Sequence, residues 1–108
     1  MDNAKMFGEM DDYCIGKTAR GVYRIYNLKT DRSYFGTTED IVRTRAEERF
    51  RLDLGLHSSR ELQKDYAETG LELFVIDMAR EAEEGESLPL LLDEVIREAT
   101  AAGLSLYH

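Results

Sequence analysis

Apolar and polar residues alternate through residues 21–27, which read Gly-Val-Tyr-Arg-Ile-Tyr-Asn. An alternation with a period of two residues indicates a strand with one buried face. Residues 29–32 are polar and have the composition of a turn, and residues 33–36 resume as a second short strand. The two segments therefore predict a β-hairpin that holds Tyr23 and Tyr34 near each other on adjacent strands.

A spacing of four residues between apolar positions predicts a helix after the hairpin. We expect this apolar stripe to face the core, with Thr37 as the N-cap and Gly55 as the C-terminal cap. The residues of the stripe are Val42, Ala46, Phe50 and Leu54. The other face presents Thr44, Glu48 and Arg51.

Two more helices and a third strand are predicted from the rest of the chain. One helix begins at the capping-box pattern of residues 58–61 and ends at Gly70, with Leu62 and Tyr66 buried. Residues 71–78 are mostly apolar and predict a third strand in the centre of the sheet. Ser87 caps a last helix. Its inward residues are Leu91, Leu92, Val95, Ile96 and Ala99.

The order of these elements predicts an α+β domain with a small three-stranded, mainly antiparallel sheet flanked by helices. We assign residues 21–103 to this domain, residues 1–20 to an N-terminal extension, and residues 104–108 to a C-terminal tail that can add an edge strand. In the extension, Met6, Phe7 and Met10 are spaced to form one helical turn that packs on the sheet.

The composition fits one small cytoplasmic domain. The 108 residues are 43% hydrophobic, which supplies one modest core. The single cysteine, Cys14, excludes an internal disulfide, fits a reducing compartment, and is expected to be a small buried residue. The N-terminus does not resemble a signal peptide and no apolar run is long enough to span a membrane, so no membrane contact is expected.

The charge of the chain is uneven. The net charge is −8; residues 21–64 carry nine Lys or Arg against seven Asp or Glu, whereas residues 65–108 carry two against eleven. Domains that bind nucleic acid usually present a basic surface. The charge therefore disfavours nucleic acid as a partner without excluding it, and it is compatible with a basic protein partner.

Two triplets in the hairpin carry a family resemblance. Gly-Val-Tyr at residues 21–23 and Tyr-Phe-Gly at residues 34–36 resemble the signature of the GIY-YIG nucleases. Farther on, Gly-Leu-His-Ser-Ser at residues 55–59, Leu-Gln at residues 62–63, and Gly70 ahead of Phe74 resemble the homing-endonuclease branch of that family. The resemblance covers residues 21–98, most of the chain, and implies the fold of these nucleases.

The resemblance also implies catalytic roles. Tyr23 matches the tyrosine that activates water or orients the phosphate, Tyr34 matches the tyrosine that contacts phosphate, and His57 matches a catalytic histidine. A glutamate on the helix after the third strand holds one divalent metal ion in this family, Mg²⁺ or Mn²⁺. Glu94 is its match here, and Asp93 and Glu98 are alternatives. Each residue also has an ordinary structural interpretation. Tyr23 and Tyr34 fit ordinary strand tyrosines, His57 fits an imidazole that orients a turn, and Glu94 fits a solvated surface carboxylate.

One position departs from the family pattern. The family's arginine, which stabilises the phosphorane, lies ten residues after the second signature tyrosine, and this chain has Thr44 there. Arg43 and Arg45 flank Thr44, although neighbours on a helix point roughly 100° apart. Glu48 also stands where much of the family has histidine or tyrosine, and a carboxylate there opposes a charged transition state. A register shift that brings Arg43 or Arg45 to the phosphate stays open.

These observations leave three functional hypotheses. The favoured one is a domain of nuclease fold with an incomplete active site, impaired or inactive in cleavage, which acts by binding. Such a domain would be an acidic inhibitor or regulator of a nucleic-acid-handling protein, in the manner of a DNA mimic from a phage or mobile element. The alternative is a Mg²⁺- or Mn²⁺-dependent endonuclease that uses Arg43 or Arg45. The third is an acidic globular domain whose charges only keep it soluble.

Overall fold

The computed structural model describes residues 19–108, apart from the side chain of Leu71. Within this range the elements follow in the order β1 (Gly21–Asn27), β2 (Arg32–Thr38), α1 (Ile41–Leu54), α2 (Arg60–Thr69), β3 (Phe74–Glu81), α3 (Leu88–Ala101) and β4 (Ser105–Leu106). A turn of 3-10 helix, Leu71–Leu73, precedes β3. The expectations for Met6, Phe7, Met10 and Cys14 lie outside the described residues. No helix between residues 19 and 108 is long and apolar enough to cross a membrane.

The α+β class is confirmed, but the sheet has four strands where three were predicted. Their order is β3-β1-β2-β4, and β1 pairs antiparallel with both of its neighbours. The fourth strand is β4, the edge strand that the C-terminal tail was expected to be able to add; here the chain returns from α3 and pairs in parallel with β2. The backbone N–H of Tyr107 then donates to the carbonyl of Ser33 over 2.8 Å, which extends this pairing.

Strand β3 lies at an edge of the sheet, so its predicted central position is wrong. It pairs with β1 and with no other strand of the described chain. Its apolar run had suggested a strand buried on both sides. That run belongs partly to the 3-10 turn, and within the strand only Phe74 and Ile76 are buried. A strand at the edge can still bury apolar side chains, because α1 and α2 cover the face on which Phe74 and Ile76 pack.

The sheet separates two hydrophobic clusters. On one face, Tyr23 and Ile25 of β1 pack with Leu52 of α1 and Leu62 of α2. On the other face, Val22 packs against Leu91 and Val95 of α3. Adjacent β1 residues therefore point to opposite faces, as the alternation predicted. Both faces are covered, however, and Val22 is as fully buried as Ile25, so the expectation of a single buried face is wrong. The helices form a layer on each side of the sheet, with α1 and α2 on the Tyr23 face.

Helix α1 turns its predicted apolar stripe outward. Among the residues of this outer stripe (Val42, Ala46, Phe50 and Leu54), Phe50 is 64% exposed and Leu54 is 54% exposed. The buried residues are Ile41, Glu48 and Leu52, and the N-cap is Asp40 rather than Thr37. Tertiary contacts decide which face of α1 is buried. Ile41 donates its N–H to the carbonyl of Ala19, and Leu52 enters the core beside β1. Gly55 forms the predicted C-terminal cap, with φ at 76°.

The other two helices match their prediction more closely. Ser87 is the N-cap of α3 as predicted, and its side chain accepts the N–H of Leu90. The N-cap of α2 is Ser59, whose side chain accepts the N–H of Leu62, so this helix begins one residue later than the capping-box pattern of residues 58–61 predicted. Leu62 and Tyr66 are buried on α2 as expected. The buried residues of α3 are Leu88, Leu91, Val95 and Ala99. Clear caps and apolar spacing were sufficient to place these two helices.

Tyrosine–carboxylate hydrogen bonds connect separate parts of the fold. The phenols that donate to a carboxylate, each with its acceptor, are Tyr23 with Glu48, Tyr26 with Asp31, Tyr66 with Asp53, and Tyr107 with Asp65. The Tyr107 hydroxyl also accepts from Nδ2 of Asn27, which is buried at the end of β1. The C-terminal residues are therefore fastened to both β1 and α2.

Candidate functional site

A buried carboxylate lies at the centre of the candidate site. Glu48 is 3% exposed on the inward face of α1. Tyr23 of β1 donates its phenol hydrogen to Oε2 of this glutamate. Nε2 of His57 lies 3.1 Å from the same oxygen, and Nη1 of Arg51 donates to Oε1 over 2.8 Å. Glu48 therefore connects the central strand, its own helix and the loop that leads to α2.

These donors keep Glu48 ionised. Burial raises the pKa of a carboxyl group, but here hydrogen bonds from His57, Tyr23 and Arg51 outweigh it and lower the pKa of Glu48 from 4.5 to about 2. Burial, together with the neighbouring Glu48 carboxylate, raises the pKa of Tyr23 far above its ordinary value. At neutral pH the site therefore holds an anion and a neutral phenol.

His57 is held in one tautomer by its surroundings. The backbone N–H of Ser59 donates to Nδ1 over 3.0 Å, so this nitrogen carries no proton. In the neutral ring the proton is then on Nε2, which donates to Glu48. The N–H of His57 donates to Oε1 of Gln63, and the Gln63 amide donates to the carbonyl of Leu52. Because both ring nitrogens are engaged, His57 has no free lone pair with which to accept a proton from water.

The two signature tyrosines lie side by side, as the hairpin predicted. The ring centroids of Tyr23 and Tyr34 are 6.3 Å apart, and Tyr34 meets the ring of His57 edge-on at 5.0 Å. Gly36 pairs with Tyr23 across the hairpin, and a Cβ at Gly36 would lie 2.7 Å from the phenol. The glycine of the second triplet is therefore needed because the ring of Tyr23 lies across it.

The arginines beside Thr44 have partners away from Glu48. Nε of Arg43 bonds Glu47 over 3.1 Å, and the Arg43 side chain is 75% exposed. Nε of Arg45 donates to the carbonyl of Ile76 on β3. The hydroxyl of Thr44 shares a 2.6 Å hydrogen bond with Thr38. Arg51 is the arginine that reaches the site, through its bond to Glu48, and its side chain is 51% exposed.

Glu94, the predicted metal ligand, lies on α3 beside Arg80. An oxygen of Glu94 is 3.7 Å from Nη1 of Arg80, whose Nη2 also donates to Glu98. No group of three or more His, Cys, Asp or Glu residues in the described chain could hold a metal ion. The donor set around Glu94 therefore does not fit a preformed metal site, because a guanidinium occupies the space between the two carboxylates. The role of Glu94 stays a prediction.

We expect the free energy of unfolding to report the charge of Glu48 as the pH falls. Its pKa is lower in the folded chain than the ordinary 4.5, so the folded state binds fewer protons than the unfolded state in acid. The stability that Glu48 contributes is present above about pH 4.5 and is lost as the pH falls towards about 2. Urea unfolding of the parent and of Glu48→Gln, measured from pH 7 to pH 2, should give curves that converge in this window. A constant separation between the curves would contradict the assignment.

The residues that sequence reasoning did not assign to the site are those that hold it together. Glu48 was noted only as a departure, Ser59 only as part of a cap and of a matched block, and Gln63 only as part of a matched block. A signal for Glu48 was present, because it lies seven residues after Ile41 and four before Leu52, on the same helical face. The spacing identifies Glu48 as a buried residue only once it is known that the face of α1 with Ile41 and Leu52 points inward.

Two solved structures resemble this chain. The catalytic domain of the homing endonuclease I-TevI matches with a TM-score of 0.66 and 21% sequence identity, over 78% of this chain and 88% of that one. A glutamate-to-alanine mutant of the catalytic domain of the intron endonuclease I-TevI matches with a TM-score of 0.67 and 22% identity, over 83% and 92%. This chain therefore has a GIY-YIG-like fold, as the two triplets indicated. No protein-family model and no curated protein matches the sequence.

Proposed function

We propose that this domain of GIY-YIG-like fold is impaired or inactive in phosphodiester cleavage and acts by binding a basic protein that handles nucleic acid. The observation that carries the proposal is Glu48. Cleavage requires positive charge at the non-bridging oxygens of the phosphate. Here the centre of the site is a buried anion that already takes the hydrogens of Tyr23 and His57.

The distribution of cations supports impaired cleavage. Arg51 reaches the site, but its guanidinium is paired with Glu48 and is not free to bind a phosphate oxygen. Arg43 and Arg45 bond Glu47 and the carbonyl of Ile76, respectively. A phosphate would have to displace one of these contacts and also approach an anion. The absence of one positioned donor typically costs about 10²–10³ in rate.

The exposed acidic residues support binding to a basic surface. The loop between β3 and α3 places Glu83 and Glu84 in solvent, and Asp93 and Glu94 are exposed on the helix that follows. Arg20 donates to the carbonyls of Glu83 and Glu86, which fixes the loop against the start of β1. An ordered acidic edge of this kind complements a protein surface that binds nucleic acid.

A cleavage assay tests the first half of the proposal. Supercoiled plasmid and labelled single- and double-stranded oligonucleotides would be incubated with the protein and Mg²⁺ or Mn²⁺, with EDTA as control. We expect no metal-dependent nicking by the parent, because Glu48 repels the phosphate. Thr44→Arg combined with Glu48→His restores the residue types that the family has at both positions, and we expect this variant to be the more active one. Metal-dependent nicking by the parent that Tyr23→Phe and Glu94→Ala both abolish would overturn the proposal.

That contrary result would favour the endonuclease alternative. Arg43→Ala, Arg45→Ala and Arg51→Ala would then identify the cation that serves the phosphate. Arg51 joins the two arginines expected from the sequence because its guanidinium already lies at the site.

Binding to a basic partner is tested separately. A complex with a purified basic nucleic-acid-binding protein should weaken as salt is raised, because exposed charges are screened. Glu84→Lys should weaken the complex more than Glu47→Lys, which makes the same charge change on α1, and Tyr23→Phe should leave it unaffected. Equal effects of the two charge reversals would mean that binding depends only on the net charge of the domain. That result would favour the third hypothesis, an acidic domain whose charges only keep it soluble.

A further inference from the structure

The C-terminal strap, residues 104–108, is anchored to the domain by one buried side chain. Tyr107 is 5% exposed, whereas Leu104, where the strap begins, is 52% exposed. Residues 101–105, which lead from α3 into the strap, are all exposed, and Gly103 among them has φ of +81°. Segments with few buried contacts open locally at a lower free energy than global unfolding. The strap can therefore detach while the rest of the domain stays folded.

One side of the strap is hydrogen-bonded to the hairpin. The N–H of Tyr107 donates to the carbonyl of Ser33, and the guanidinium of Arg32 lies over the Tyr107 ring, 4.2 Å from its centroid. The Tyr107 hydroxyl accepts from Nδ2 of Asn27, whose Oδ1 accepts two N–H groups of the hairpin turn. Ser33 directly precedes Tyr34. The strap is therefore attached to the strand that carries the second signature tyrosine.

The other side of the strap is hydrogen-bonded to the start of α2. The carbonyl of His108 accepts the hydroxyl hydrogen of Ser59 over 2.7 Å, and the N–H of His108 donates to Glu61 over 3.1 Å. The backbone N–H of the same serine donates to Nδ1 of His57 over 3.0 Å. Ser59 therefore contacts both the strap and the imidazole of the candidate site.

The strap thus connects the two segments that carry Tyr34 and His57, whose rings meet edge-on at 5.0 Å. A second connection between these segments is the ion pair of Arg32 with Glu61, over 2.9 Å. The side chain of Glu61 is 50% exposed, and ion pairs in contact with water stabilise little. The buried anchor Tyr107 is therefore the stronger link between the hairpin and the loop of His57.

We propose that the C-terminal strap is a conformational device that sets the orientation of His57. When docked, it fixes Ser59 and through it the imidazole; when detached, it releases both. Coupling between two such events is reciprocal. A molecule that binds the candidate site therefore stabilises the docked strap, and one that pulls the strap from the edge of β2 loosens the site. This coupling holds whether the site cleaves or only binds, so its test does not depend on the function proposed above.

Native-state hydrogen exchange followed by NMR tests the first direction of the coupling. In Tyr107→Ala we expect the amide of Ser59 to exchange roughly tenfold faster than in the parent, about the effect of losing one hydrogen bond. The two ring nitrogens of His57 should also move towards a common ¹⁵N shift, because the imidazole is no longer held in one tautomer. Tyr107→Phe keeps the ring under Arg32 and removes only the hydroxyl, so it should fold and show smaller changes of the same kind.

The reverse direction and the control use two more variants. His57→Ala should speed the exchange of the Tyr107 amide. Leu92→Ala is the matched control, because Leu92 packs against the hydrophobic cluster on the α3 face and its loss weakens the whole domain. This control should leave the His57 ring shifts unchanged.

Three results would each overturn the proposal. The first is equal acceleration at Ser59 in Leu92→Ala and the Tyr107 variants, compared at equal free energy of global unfolding. The second is an unchanged pair of His57 ring shifts in both Tyr107 variants. The third is an unchanged exchange rate of the Tyr107 amide in His57→Ala.

Discussion

Replacing Glu48 with alanine should lower the free energy of unfolding by about 3–5 kcal/mol, the usual cost of removing one partner from a buried ion pair. The substitution leaves the phenol of Tyr23 and Nε2–H of His57 without their acceptor, in a region where water has little access. Each buried donor left unsatisfied costs about 1–3 kcal/mol. Arg51 loses least, because it is half exposed. Urea unfolding monitored by circular dichroism would measure the loss.

The neighbouring glutamate gives the control. Glu47 pairs with Arg43 one turn away on the same face of α1, and the two side chains are 46% and 75% exposed. Glu47→Ala should change the free energy of unfolding by less than about 0.5 kcal/mol. A double-mutant cycle of Glu48→Ala with Tyr23→Phe should be non-additive by at least about 0.5 kcal/mol, because the two groups share one hydrogen bond. Similar losses for Glu47→Ala and Glu48→Ala would remove Glu48 from the centre of the site.

Gly21→Ala should be at least as damaging, at about 3 kcal/mol or more, which is the upper end of the usual cost of overpacking. A Cβ on Gly21 would lie 2.2 Å from the carbonyl oxygen of Arg80 and 2.9 Å from Cα of Glu81. Both are backbone atoms, so no side-chain rotation relieves the clash. To accept the Cβ, β1 and β3 must move apart at this end of their pairing. The pairing is already irregular there, because its register shifts between Val22 and Tyr23 of β1. Thermal and urea unfolding would both show the loss.

Gly55→Ala distinguishes this clash from the general cost of replacing a glycine. Gly55 has φ of +76° at the end of α1, and nothing lies within 4 Å of the added Cβ. Its substitution should cost only the strain of a left-handed residue, about 1–2 kcal/mol. If Gly21→Ala proved no more destabilising than Gly55→Ala, the close approach of β1 and β3 would be wrong. The first glycine of the Gly-Val-Tyr triplet would then need another explanation.

Local signals in the sequence were sufficient for much of this fold. The hairpin follows from a period of two residues, and α2 and α3 follow from their serine caps and apolar spacing. The proximity of Tyr23 and Tyr34 follows from the hairpin alone. In each case the residues that decide the structure are neighbours in the chain, so their pattern can be read without knowledge of distant contacts.

The inward face of α1 could not be predicted in this way. One face of the helix offered an apolar row, and the other offered Glu48 between Ile41 and Leu52. The second face is buried because donors from β1 and from the loop before α2 satisfy the carboxylate, and no local pattern shows that they will meet it. Strand β4 was foreseen only as an option for the C-terminal tail, since its two residues are too few to show a period. Non-local contacts decide both features.

The tyrosine–carboxylate pairs give the domain an optical property. The chain has six tyrosines and no tryptophan, so phenols dominate its intrinsic fluorescence. Light absorption makes a phenol a far stronger acid, and a hydrogen-bonded carboxylate then accepts its proton and quenches the ordinary tyrosine emission. Tyr23, Tyr26, Tyr66 and Tyr107 each donate to such a carboxylate in the folded chain. We therefore expect the tyrosine emission of the native domain to be quenched and to rise as those pairs separate, so that unfolding can be followed without an added label.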